Sequence, residues 1–490
     1  MGFKNYFVKK SIKTIQQEAN QHELKRTLGK WNLISLGIGC IIGAGIFVMT
    51  GTAAALHAGP AITISFVLAG LACAFAALCY AELASVLPVS GSAYTYAYAT
   101  LGELAAWIMG WLLILEYGIS ASAVAVGWSG YLVSFLNDFG IHIDPTLTTA
   151  TGNLVTLADG TKVAALFNLP AFFGVLAVTG LLVLGVSESA RVNNVIVFIK
   201  LTVVIAFIVI GVWYINLDNW QPYIPENTGT DGEFGYSGIL RAASIIFFAY
   251  IGFEAVSTAA AEAKDPQKDM PFGIIGSLVV CTILYIGVAA VLTGIVPYTS
   301  LNVPDPMAVA VNAVGLNWFS FFIKIGAITG LSSVMLVLIY SQTRVFYTMS
   351  KDGLLPNLFC SIHSRFCTPW INTLVVGIVI AFASAVTPIQ VLGDLVSLGT
   401  LVAFVIVCIS VLYLHYKNPE LKRPFATPFK PVIPILGILS CGYLIFSMPL
   451  QIFITMKFFF LAGILIYLCY GQFHSKIRLA AGATKKNIRS

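Results

Sequence analysis

The run Gly37-Ile38-Gly39-Cys40-Ile41-Ile42-Gly43-Ala44-Gly45-Ile46-Phe47 places four glycines within nine positions of an otherwise apolar segment. It belongs to a stretch of 51 residues, between Lys30 and Glu82, that contains no Asp, Glu, Lys or Arg. A helix needs only about 20 apolar residues to cross a bilayer. Glycine is a weak helix former, so the cluster predicts a membrane helix interrupted near its centre. Hydrocarbon tolerates such an interruption only where the freed backbone lines a cavity or is buried in protein.

Outward from this run the same composition persists. Of 490 residues, 58% are hydrophobic and 10% charged, against roughly 25% charged in soluble domains. A soluble enzyme, a disordered chain and a secreted disulfide scaffold are excluded. At roughly 35 to 40 residues per span and loop, built on the span length of a bilayer, the length predicts an all-α polytopic protein of about twelve membrane helices. Apolar runs fall near 31–56, 61–87, 104–136, 167–187, 192–216 and 237–261. A second series lies near 272–297, 316–346, 370–387, 393–415, 432–448 and 452–471.

Charge sets the orientation. With the N-terminus inside, the tails and even-numbered loops hold 22 of the 27 Lys and Arg residues, as the positive-inside rule requires. Both termini are therefore expected in the cytoplasm and the chain in a plasma (inner) membrane. The net charge of +6 reflects this segregation and carries no nucleic-acid signature. No cleavable leader is read in the N-terminal segment. Most cysteines sit inside apolar runs, so no structural disulfide is expected.

A second interruption occurs in Phe247-Phe248-Ala249-Tyr250-Ile251-Gly252-Phe253-Glu254, within the sixth run. The first and sixth spans open two sets of five, and five is odd, so the sets run in opposite directions. Paired interruptions in inverted halves point to the binding site of a secondary transporter. Both interruptions also lie near the bilayer midplane by residue count. The predicted organisation is a tail (1–30), a first repeat (31–235), an inverted second repeat (236–431), two added helices (432–471) and a second tail (472–490).

Ionisable residues at membrane depth are costly and usually functional. Glu116, Lys200 and Glu254 are the candidates, and Lys324 reads as a side chain that snorkels towards the outer interface. Lys200 either exchanges a proton as access alternates or forms a static buried pair with Glu116. Glu254 either joins the coupling or only binds loosened backbone amides. Cys360, His363 and Cys367 lack a fourth ligand, so no metal is expected. There is no phosphate-binding GxxxxGK[ST] loop and no catalytic constellation, so neither a pump nor an enzyme is read, and no cofactor is expected.

Gly39-Cys40-Ile41-Ile42-Gly43-Ala44-Gly45-Ile46-Phe47 resembles the first-span signature of the amino acid–polyamine–organocation superfamily. Gly252-Phe253-Glu254 followed by Glu262-Ala263-Lys264-Asp265-Pro266-Gln267 resembles its sixth-span segment, with Asp265 where Asn is commoner. Tyr80-Ala81-Glu82-Leu83, Leu115-Glu116-Tyr117 and Gln342-Thr343-Arg344 extend the likeness. The third-span acid and fifth-span lysine are most similar to the cationic amino acid transporter branch and its bacterial relatives.

The resemblance implies a five-plus-five inverted repeat with an α-amino acid bound between the broken helices. Its carboxylate would meet groups around Ile41, Gly43, Ala44 and Gly45, and its ammonium the carbonyls of Ile41, Phe248, Ala249 and Ile251. Phe248 matches an aromatic gate. Lys200, with Ser332 and Ser333 beside it, matches the place of a sodium ion in relatives, which argues for proton coupling. Met335 is expected to narrow the side-chain end of the pocket. A cationic or a small neutral substrate, a proton symporter, an exchanger or a transporter-like sensor remain open. No accessory subunit is indicated.

Overall fold

The computed structural model describes residues 8–11, 28–88, 92–157, 160–185, 190–366 and 368–479. Most of both tails, Val89-Ser90-Gly91 and Cys367 lie outside the described residues. Eight helical stretches among them are long and apolar enough to cross a bilayer, and Leu169–Val183, Trp370–Val386 and Val432–Phe446 are shorter apolar helices. The stretch Gly45–Val86 turns at Gly59-Pro60, where φ is +58° at Gly59, and so contributes to two passages. Twelve passages result, as the apolar runs predict.

Proline marks many of the boundaries. It has no N–H to continue a preceding helix and its fixed φ suits a helix start. Pro369, Pro388, Pro431 and Pro449 directly precede the ninth to twelfth passages, Trp370–Val386, Ile389–Lys417, Val432–Phe446 and Leu450–His474. The seventh passage, Pro266–Ile295, begins before its apolar run because Pro266-Gln267-Lys268 already forms its polar first turn.

The packing repeats at an interval of five. Passage two (Ile62–Val86) lies along passage seven, three (Glu103–Asp138) along eight (Asn317–Lys351), and four (Leu169–Val183) along nine. The first half of passage one (Lys30–Ile41) packs on passage seven, as the first half of passage six (Gly235–Ile246) packs on passage two. Passages eleven and twelve are appended, both resting against passage ten.

Three elements carry no apolar-run signal. Helix Ser92–Thr100 joins passages two and three, and helix Pro306–Ala313 joins seven and eight; both are largely buried against the bundle and are here called lids. Leu154–Thr156 and Lys162–Ala164 form an antiparallel hairpin. Residues 8–11 and 472–479 both attach to the face that carries Ser92–Thr100, here called the tail face.

Candidate functional site

Passage one stops at Ile41, where Ile42 turns extended (ψ 94°), and resumes as a helix at Gly45. Passage six tightens over Phe247–Tyr250, turns extended at Ile251 (ψ 132°) and resumes at Glu254. The two breaks touch. A methyl added to Gly45 would collide with Ala249, and one added to Gly252 would come 2.8 Å from the Cys40 carbonyl carbon. Gly252 also has φ +126°, a conformation open mainly to glycine. These glycines bring two unwound backbones into direct contact.

Passage seven holds the contact together. The Tyr285 hydroxyl donates a hydrogen shared between Ile41 O at 2.8 Å and Ala249 O at 2.9 Å. Tyr131 of passage three donates to Phe47 O at 2.9 Å. Sequence reasoning missed both tyrosines, because a lone aromatic residue in an apolar run shows no sign of which way it faces. It also assigned the Ile41 and Ala249 carbonyls to the substrate, and Tyr285 donates to both.

A narrow cavity opens beside the breaks, in which the centre of a water molecule has about 20 Å³ to move. Its wall contains Ile41, Gly43, Ala44 and Gly45 from passage one, and Phe248 and Ile251 from passage six. Cys40, Ser120, Val124, Val334 and Leu338 complete it. Met335 is buried but lies outside this wall, which corrects its expected place: passage eight turns Val334 and Leu338 to the cavity. One step along a helix rotates a side chain by roughly 100°, enough to exchange one neighbour for another.

The two half-helices present opposite poles here. The half beginning at Gly45 offers N–H groups with no acceptor in their own helix, and the half ending at Tyr250 offers carbonyls. A carboxylate and an ammonium on one carbon can therefore be met from two sides. No charged side chain is among the residues of the wall.

The buried charges lie apart from the wall. Lys200 is fully buried, and its Nζ donates to Gly39 O at 2.9 Å. Its aliphatic stem lies against Gly330, where an added methyl would be 2.9 Å from Cε. Lys200 thus sits between passages one, five and eight. Ser333 is buried, and Ser332 donates to Ile328 O at 2.8 Å within its own helix.

Glu116 does not face Lys200. Its carboxyl group faces that of Glu254, and both side chains are fully buried. Glu254 Oε2 accepts the Gly252 N–H at 2.9 Å, which fixes the turn of the break. Neither Glu116 oxygen has a donor among the described residues. Lys324 reaches Asp138 at 2.6 Å and the Ser134 carbonyl at 3.2 Å, towards the end of passage three. Arg241 and Asp394 form a buried pair at 2.6 Å.

A twelve-passage bundle with two interrupted helices meeting at a central cavity is a membrane permease, not an enzyme. The chain belongs to the amino acid permease family, whose model matches residues 28–470. It is 48% identical over 473 residues to a branched-chain amino acid permease of Bacillus subtilis, covering 96% of this chain and 98% of the relative. It is 47% identical over 469 residues to the methylthioribose transporter of the same organism, with 96% and 98% covered. It is 38% identical over 403 residues to the vacuolar cationic amino acid transporter 4 of Arabidopsis thaliana, covering 81% of this chain and 65% of that protein.

Proposed function

We propose that this permease imports an aliphatic α-amino acid together with a proton, by alternating access, with its tail face in the cytoplasm of a plasma-membrane-bounded cell. The observation that carries the substrate reading is the wall of the cavity. Backbone N–H and carbonyl ends from Ile41, Gly43, Ala44, Gly45, Phe248 and Ile251 suit the α-carbon groups, while Val124, Val334 and Leu338 suit a branched apolar side chain. A cationic side chain would find no acid in that wall. The name of the Bacillus subtilis branched-chain permease agrees with this reading, whereas a methylthio sugar has neither carboxylate nor ammonium to use the two helix poles.

Sidedness rests on the distribution of Lys and Arg. The division into repeats 31–235 and 236–431, with 432–471 appended, is supported by the five-passage interval of the packing. For coupling, two buried carboxyl groups facing each other can share a hydrogen bond only if one carries a proton. Glu116 and Glu254 are thereby one proton site, and Lys200 is a second ionisable group that ties passage one to passage five. Because Lys200 holds the Gly39 carbonyl, a purely structural role in an exchanger is the second reading.

Uptake of labelled leucine, isoleucine, valine, arginine and methylthioribose into proteoliposomes, with and without an inward proton gradient, tests both. The expected result is gradient-stimulated uptake of the branched amino acids, lost in Lys200→Ala and Glu116→Gln with binding retained. Uptake that ignores the gradient but needs amino acid on the opposite side overturns symport in favour of exchange. Uptake of methylthioribose alone overturns the substrate reading.

A further inference from the structure

We infer that the C-terminal segment 472–479 is a strap that holds the tail-face lid shut and so sets how readily the central cavity opens on that side. The knot is Glu103, at the start of passage three and fully buried. Tyr98 of the lid helix donates to it at 3.1 Å and Tyr467 of passage twelve at 2.8 Å. Ser475 donates to the same carboxylate, and Arg478 Nε lies 3.7 Å away. One buried carboxylate therefore fastens the lid, the last passage and the strap. Of these groups Arg478 brings the positive charge, and a buried carboxylate that loses its compensating cation is costly.

The strap is also sewn to passage eight. Lys476 N–H donates to Asp352 O at 3.1 Å. Gly353, at φ +83°, lies so close to the His474 carbonyl that a methyl there would collide with it. Asp352 in turn accepts from Tyr94 of the lid at 2.8 Å and pairs with Lys10 at 3.3 Å. The lid helix Ser92–Thr100 is buried along its whole length, and Ser92 reaches Ser257 of the second half of passage six at 3.0 Å. Moving the broken half of passage six thus requires the lid to give, and the strap grips the lid at both ends.

The cavity contains its own reporter, since Cys40 is part of its wall and buried. In a full-length chain keeping Cys40 as its single cysteine, labelling by a membrane-impermeant maleimide reads opening on each face in vesicles of either orientation. With the strap removed after Gly471, and separately with Arg478→Gln and Ser475→Ala together, Cys40 labelling from the tail face is expected to rise about tenfold, the effect of losing one hydrogen bond and one ion pair. Labelling from the opposite face should not rise. The double substitution keeps the Tyr467 and Tyr98 anchors, so it reads the strap even if the truncated chain does not fold. Labelling within twofold of the parent in the double variant overturns the inference. The inference shares with the proposed function only the assignment of the tail face to the cytoplasm. A rise confined to vesicles of the other orientation would overturn that assignment and leave the strap standing.

Discussion

The two lids occupy equivalent places in the two halves, between the second and third passages of each, yet they are fastened differently. The tail-face lid, Ser92–Thr100, is held by polar bonds: Ser92 to Ser257 at 3.0 Å, Tyr94 to Asp352 at 2.8 Å and Thr100 to Ser410 at 3.1 Å. The far lid, with its helix Pro306–Ala313, is held mainly by close packing. A methyl on Gly51 would come 2.5 Å from Leu301 O, and one on Gly130 would come 2.5 Å from Pro304 Cβ. Its polar clasp is Asp305 to Ser134, at 2.5 Å. One seal depends on shape and the other on hydrogen bonds, so the two should fail under different substitutions.

The largest effect is expected where shape does the sealing. Gly51→Val inserts bulk against the Leu301 carbonyl and Pro306, and overpacking costs about 1–3 kcal/mol. Uptake should fall at least about tenfold, with Cys40 labelling rising from the far face alone. Normal uptake by this variant would mean that the far lid is not packed as tightly as the tail-face lid is bonded.

A smaller effect is expected where one hydrogen bond does the sealing. Tyr94→Phe keeps the ring and removes the bond to Asp352, worth about 1 kcal/mol. Cys40 labelling from the tail face should rise about fivefold, the factor that this energy implies. Unchanged labelling would shift the weight of that seal onto Ser92 and Thr100.

The smallest effect concerns the far lid's carboxyl group. Burial pushes the Asp305 carboxyl above its ordinary range, against the opposing influence of Ser134 and Lys324. An acid whose value is raised on folding stabilises the fold when protonated, and that contribution is lost as pH rises through the folded value. Asp305→Asn should therefore raise Tm by about 2 °C at pH 7 and leave it unchanged at pH 4. A fall in Tm at pH 7 would mean that the charge itself holds the far lid.

The contrast between the lids was invisible in the sequence, although the bundle around them was not. Apolar run length locates all twelve passages, and the glycines at 37–45 and 252 locate both breaks, because each is a local requirement of the chain. Rotation about a helix axis is not local. Depth and opposite charge suggest Lys200 as the partner of Glu116, but the lysine turns to the Gly39 carbonyl and the glutamate to Glu254. The same uncertainty put Met335 where Val334 and Leu338 stand. Ser92-Ala93-Tyr94-Thr95-Tyr96-Ala97-Tyr98 shows no helix signal of its own, and burial by its neighbours makes it a lid.

The five-passage interval carries an energetic consequence. If the halves were identical, exchanging them would turn a molecule open on one face into one open on the other, and the two states would be degenerate. Any resting preference must come from what the halves do not share. Residues 8–11 and 472–479 have no counterpart on the far face among the described residues. Two flanking segments, neither touching the cavity wall, are thus placed to break the tie, and about 1.4 kcal/mol from them would bias the resting population tenfold.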